Sequence, residues 1–126
     1  MKTASDLETY LISSELPHER IGDNMWVVSV DSGSMSHVVL WIDSDVVGFR
    51  LKVTDLGDKA PGPLMRKLLE LNASELVHCA YGIEEDAIVL VASQLLSTFD
   101  LEEFQAILDS FGIAVSTHHS ILSALL

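Results

Sequence analysis

An α+β fold is predicted for this sequence: one domain spanning residues 1–126, with elements in the order α-β-β-β-α-β-β-α and helices packed on one face of an antiparallel sheet. Three observations predict it. Between Ile21 and Val53, β-branched and aromatic runs are broken at short intervals by polar turn clusters, the pattern of a strand meander. From Leu101 to Leu125, apolar residues recur at alternating three- and four-residue spacing, the pattern of a long amphipathic helix. With 126 residues, 48% of them apolar, the chain has the size of one domain and can bury a core without disulfides or metal.

The first helix is expected to begin at Ser5-Asp6-Leu7-Glu8, which has the form of a capping box. Leu7, Tyr10, Leu11 and Ser14 follow at helical spacing until Pro17 stops the pattern. At about three turns this helix is too short to stand alone in water and must dock on something. Three strands come next: Met25–Val30, His37–Ile42 and Val46–Val53, separated by Asp31-Ser32-Gly33-Ser34 and Asp43-Ser44-Asp45. In the third, Val47, Phe49, Leu51 and Val53 alternate with Val46, Gly48, Arg50 and Lys52, so one face is buried and the other wet. Asp55 to Pro63, with two prolines and two glycines, reads as a loop inside one domain rather than a linker, because 60 residues on either side would make two marginal folds.

Leu64, Leu68 and Leu71 then lie on one face of a short helix that Asn72 is suited to end. A hairpin follows, with strands at Leu76–Ile83 and Ala87–Ala92 around Glu84-Glu85-Asp86. Asp100 and Glu103 mark the start of the last helix, and Phe99 and Phe104 flank the cap as a hydrophobic staple. Leu101, Phe104, Leu108, Phe111, Val115, His118, Leu122 and Leu125 form its stripe, beside a further column of Ile107, Ala114 and Ile121. Three columns are wider than a coiled-coil seam and predict a helix lying across a sheet, so Phe104, Phe111 and His118 belong either to this core face or to a partner-binding face. Gly112 is the weak point, costing about 1 kcal/mol relative to Ala, and the helix is expected to continue through it.

Charge narrows the partners. The net charge is −12, and all seven bases fall in the first 67 residues, while residues 68–126 carry nine acids and no base. Nucleic acid and anionic membrane surfaces both demand cationic proteins, so neither is expected as a partner. There is no membrane-length apolar run and no signal-peptide pattern at the N-terminus, and the single cysteine, Cys79, leaves no intrachain disulfide. A cytoplasmic protein is expected.

No chemistry-bearing motif emerges. His118 and His119 are adjacent and point about 100° apart on a helix, while His78 and Cys79 point to opposite faces of a strand, so no metal site is expected. Asp43 to Gly48 opens like a calcium loop but has Val47 at position five, where an oxygen is required, and Thr54 at position twelve, where a bidentate carboxylate is required. Asp31 to Ser36 is rich in hydroxyls but has no nucleophile elbow, and no phosphate-binding glycine motif occurs. The acid pairs Glu84-Glu85 and Glu102-Glu103 fall on a turn and a helix start, where solvation explains them. His118, set in an apolar stripe, reads as a hydrogen-bonded core or interface histidine that would act as a pH sensor if buried. Catalytic residues, cofactors and metals are therefore all expected to be absent.

The order of elements, Leu68-Leu69-Glu70-Leu71-Asn72 running into the hairpin 76–92, and Leu101-Glu102-Glu103-Phe104 opening the last helix together resemble the YbjN-like family. More distantly, the chain is similar to the class I type III secretion chaperones. The resemblance covers nearly the whole chain, though the part through Trp26 and Trp41 matches in periodicity alone. It implies a type III secretion chaperone-like fold and a homodimer that binds protein partners without catalysis, as a chaperone or as a regulator of sensory signalling. A dimer is also expected because the apolar columns exceed what one side of a five-stranded sheet needs. Leu64, Leu68 and Leu71 are the nominated interface, and Leu68→Asp is expected to split it. The heteropartner is expected to be neutral or basic with apolar anchors. The alternative is a small acidic enzyme whose site leaves no signature in sequence.

Overall fold

The computed structural model describes residues 3–31, 35–56 and 62–126. Thr3 caps the first helix, α1 (Ala4–Ser13), and the Asp6 carboxylate accepts the Thr3 backbone N–H at 2.7 Å. The cap lies two residues before the expected Ser5, because Thr3 and Asp6 form a box of the same spacing with a shorter acid. Leu7 and Leu11 are the fully buried residues of α1, and its capping and docking leave Ile12 exposed on the far side.

Four antiparallel strands follow: β1 (His18–Gly22), β2 (Met25–Asp31), β3 (Met35–Asp43) and β4 (Val46–Asp55). The sequence predicts three here, and β1 is the addition. Its residues show no alternation of burial, and its one large apolar side chain, Ile21, is half exposed. An outermost strand needs no buried face of its own, so the signal used to find the others is absent. The turn at 32–34 and the loop residues 57–61 lie outside the described residues, while Gly62 and Pro63, expected in that loop, are the first residues of α2 (Gly62–Ser74). Proline suits a first helical turn, where its missing N–H would have no partner.

The second hairpin pairs β5 (Ala80–Glu84) with β6 (Ala87–Leu95). Glu85 and Asp86 both have positive φ, the geometry of a tight hairpin turn that matches strand twist. Leu76 to Cys79, expected in a strand, instead form the connection from α2, with Leu76 turned into the core and Val77 exposed. A single 3-10 turn (Leu96–Thr98) leads to α3 (Leu101–Leu125). The Asp100 carboxylate accepts the Glu103 N–H at 2.8 Å, and the helix runs unbroken through Gly112, which is buried. The buried residues on both sides of Gly112 outweigh its roughly 1 kcal/mol backbone cost.

The six strands form one sheet in the order β1-β2-β3-β4-β6-β5, all neighbours antiparallel. Trp26, Val28, Leu40, Phe49, Leu51 and Leu90 project from one face and are buried under the helices. Phe49 sits among Phe99, Phe104 and Phe111, with ring centroids 5.9 to 6.4 Å apart in tilted and edge-on contacts. Polar contacts help fix α1 onto this assembly: the Trp26 indole N–H donates to Glu8 at 2.8 Å, the Tyr10 hydroxyl donates to the Phe99 carbonyl at 3.3 Å, and Arg20 of β1 lies 3.6 Å from the Glu8 carboxylate. Asp45, which begins the failed calcium pattern's second acid position, clips the β3–β4 turn to the chain before α3, accepting from the Ser97 N–H and hydroxyl at 2.9 and 3.0 Å. No helix among the described residues is long and apolar enough to cross a membrane.

Candidate protein-binding face

Alternate residues of the same strands build the opposite face of the sheet. Register places Met25 beside Trp41, Trp41 beside Gly48 and Gly48 beside Ser93, one row across four strands. The next row runs Val27, Val39, Arg50, Val91 and Ala80. A Cβ at position 48 would overlap the Trp41 indole, so glycine alone lets that ring lie flat across β4. The result is an apolar platform bordering a shallow groove of about 810 Å3 that Ile21, Met25, Val39, Trp41 and Val91 line. Ile21 and Met25 are 50% and 40% exposed. At one end Arg50 and Glu84 form an ion pair whose side chains stay open to solvent.

A second apolar surface lies between α2 and β5. Met65, Leu68, Leu69, Asn72, Tyr81, Gly82 and Ile83 line a groove of about 270 Å3 with no charged residue among them. Leu69 and Ile83 stand on its flanks, 69% and 53% exposed.

Between these surfaces and α3 lies a buried polar cluster centred on Tyr81. The Asn72 side chain accepts the Tyr81 backbone N–H at 2.7 Å and donates to the Tyr81 carbonyl at 3.2 Å. Asn72 therefore stays inside α2 and anchors β5, where the sequence suits it to ending the helix. The Tyr81 hydroxyl donates to Nδ1 of His118 at 2.7 Å, which leaves Nε2–H of the imidazole to donate to the Glu75 carboxylate, also at 2.7 Å. His118 is thus buried and fully satisfied, tying α3 to β5 and to the end of α2.

The hydroxyl–imidazole–carboxylate chain of Tyr81, His118 and Glu75 ties β5, α3 and the end of α2 together. Burial raises the Tyr81 pKa above its ordinary value, and Cys79 and Glu75 raise it further, so the phenol remains a protonated donor. Burial likewise pushes the Cys79 thiol up to about 11, which keeps it from the reactive thiolate form near neutrality. The cluster clamps three elements together. Among the described residues no group of three or more His, Cys, Asp or Glu side chains is placed to hold a metal ion.

The six residues nominated in sequence for an interface or partner face turn inward, whereas Ile121, expected in the column beside the α3 stripe, is exposed. Leu64, Leu68 and Leu71 are at most 5% exposed, packed in this chain's own core where α2 meets β5 and α3. The α2 surface open to a second chain is the other flank, at Met65 and Leu69. Phe104, Phe111 and His118 are at most 3% exposed and lie in the same core. The Trp41–Gly48 platform and the Tyr81 cluster escape sequence reading because both depend on residues brought together across strands. The one local hint is Trp41 itself, a large aromatic at the outward parity of β3.

No curated protein matches the sequence at a significant level. Among solved structures, the chain is similar to a chain of the ExsC–ExsE complex, at 18% identity and a TM-score of 0.69, with 97% of each chain covered. A chain of the ExoU–SpcU heterodimeric complex of the Pseudomonas aeruginosa type III secretion system matches at 18% identity and a TM-score of 0.67, covering 95% of this chain and 97% of that one. YbjN from E. coli matches at 12% identity and a TM-score of 0.66, covering 95% and 96%. These likenesses establish the fold: that of YbjN and of the type III secretion chaperones. The family model CesT_Tir_1 matches residues 1–125, and the chain belongs to that family of type III secretion chaperones.

Proposed function

We propose that the chain is a non-enzymatic, chaperone-like protein-binding module that works as a homodimer in the cytoplasm, the whole of residues 1–126 acting as one unit. The observation that carries this reading is the uncovered apolar face of the sheet, with Trp41 laid flat over Gly48. A sheet face of this kind, rimmed by polar groups, is the form of a protein-interaction surface. Family membership supports a protein partner, since solved relatives include a chaperone–effector complex, HopA1–SchA, at 12% identity and a TM-score of 0.63.

The heteropartner is a neutral or basic segment with apolar anchors. The nine acids of residues 68–126 are all exposed except the half-buried Glu103, so the surfaces they border repel an acidic ligand. The apolar anchors rest on the platform, and the Arg50–Glu84 pair offers a carboxylate to a basic residue beside them. The second copy takes the groove between α2 and β5. With a net charge of −12, a copy of this chain docks best where no charged residue lines the contact, and that groove meets the condition. The function so served is that of a secretion chaperone or, as the YbjN-like resemblance implies, of a regulator of sensory signalling.

Light scattering tests the homodimer: the parent chain is expected at twice its 13.8 kDa mass and Leu69→Asp at the mass of one chain, with unchanged circular dichroism. A parent that remains monomeric at high concentration contradicts it. Turnover in a broad hydrolase and transferase screen contradicts the non-enzymatic reading.

A further inference from the structure

The sheet has two outermost strands, β1 and β5, and they are guarded differently. An open edge offers a row of backbone N–H and C=O groups on which another strand can pair. On β1 the side chains of Glu19 and Arg20 are exposed, and charge of this kind discourages pairing. Residues 80–83 of β5 carry no charge, and they border an apolar groove. By that criterion β5 is the edge at risk.

Backbone groups of an antiparallel strand point alternately toward its neighbour and away from it. Tyr81 lies opposite Leu90 of β6, yet its N–H and C=O are both bonded to Asn72, so they face outward. Ile83, two residues on, has the same orientation. The Asn72 amide, one acceptor and one donor side by side, reproduces the pair of bonds that a residue of an added strand would make. Only one orientation of the amide does this, with Oδ1 toward the N–H and Nδ2 toward the carbonyl.

We propose that Asn72 is an edge plug: it fills the backbone positions of Tyr81 that an incoming strand would use, so that partners meet the α2–β5 face through side chains and the sheet is not extended there. This deepens the homodimer reading, since it requires a second copy in that groove to dock without fusing the two sheets. The plug itself does not depend on which partner occupies the groove.

The test uses the full chain, as the parent and as Asn72→Ala and Asn72→Asp. Light scattering over a hundredfold concentration range is expected to show constant stoichiometry for the parent. Asn72→Ala, which bares both Tyr81 groups, is expected to give an average mass that climbs with concentration. Asn72→Asp is expected not to grow, because its carboxylate keeps the bond to the Tyr81 N–H and places a negative charge at the edge. A folded Asn72→Ala that keeps the parent's mass at every concentration overturns the proposal and leaves Asn72 as a structural anchor. If Asn72→Ala fails to fold, amide exchange decides. On the Leu69→Asp chain, where no second copy covers the groove, the Tyr81 amide is expected to exchange at least tenfold more slowly than that of Ile83, and equal rates overturn the plug. A monomeric parent refutes the homodimer without changing either readout.

Discussion

The two faces of the sheet are made by neighbouring residues of the same strands and have opposite fates. Phe49 and Leu51 are buried in the helix-covered core, while Gly48 and Arg50, one position away, belong to a face that no described helix covers. The covered face draws side chains from every layer and holds the fold together. The open face is apolar at Ile21, Met25, Val39 and Trp41, with little packed against it. Burial of apolar surface is the dominant favourable term in folding, so the covered face sets stability, and the area left in water on the other face is available for binding.

The sharpest break in this comparison comes on α2, where adjacent leucines belong to different surfaces. Leu68→Asp, expected from sequence to split a dimer, places a carboxylate in the chain's own core at a position 5% exposed. It is expected to cost about 4 kcal/mol or more and to abolish the folded circular dichroism signal. Leu69→Asp, at a position 69% exposed, is expected to keep that signal.

Next in size, Phe49→Ala removes the ring at the centre of the aromatic cluster and is expected to lower unfolding free energy by about 3 to 5 kcal/mol in urea titration. Met25→Ala on the open face is expected to change it by no more than about 0.5 kcal/mol. Equal losses at both positions would show that the open face is covered in solution. Gly48→Ala lies between them: the added methyl must lift the Trp41 ring, at a cost of about 1 to 3 kcal/mol, and is expected to shift tryptophan fluorescence.

The smallest effect is on pH dependence. The Cys79 thiol is raised to about 11 in the folded chain, so above about pH 9 the unfolded chain loses this proton while the folded chain keeps it. The stability that the folded chain has below pH 9 is therefore lost as pH rises toward 11, and Tyr81 acts in the same direction at higher pH. Urea midpoints are expected to fall between pH 8 and pH 10.5, and less steeply in Cys79→Ala. A midpoint that rises over this range contradicts the assignment.

The covered face was largely legible in sequence, and the open face was not. Alternation at Val47, Phe49 and Leu51 and the stripe from Phe104 to Leu122 identify buried positions because burial imposes a local period. The Asp100 cap and the continuity of α3 through Gly112 followed from residues close in sequence. Strand β1 leaves no signal in sequence because an edge strand of exposed residues has no period to read. Trp41 and Gly48, seven residues apart, meet only through strand register, and Asn72, Glu75, Tyr81 and His118 meet only once α2, β5 and α3 have packed. A leucine stripe on α2 says that one face is buried, but does not say whether its own chain or a second one buries it.

The claim that the open face is where a protein partner binds is tested most directly by affinity capture from native lysate with two baits compared by mass spectrometry: the parent chain and the double variant Ile21→Glu/Met25→Glu. Both substituted positions are exposed, so the variant is expected to fold with an unchanged urea midpoint. A defined protein recovered by the parent and lost, at least tenfold, with the variant is the predicted result. Recovery of the same protein in equal amount by both baits would contradict the account and move the binding surface elsewhere.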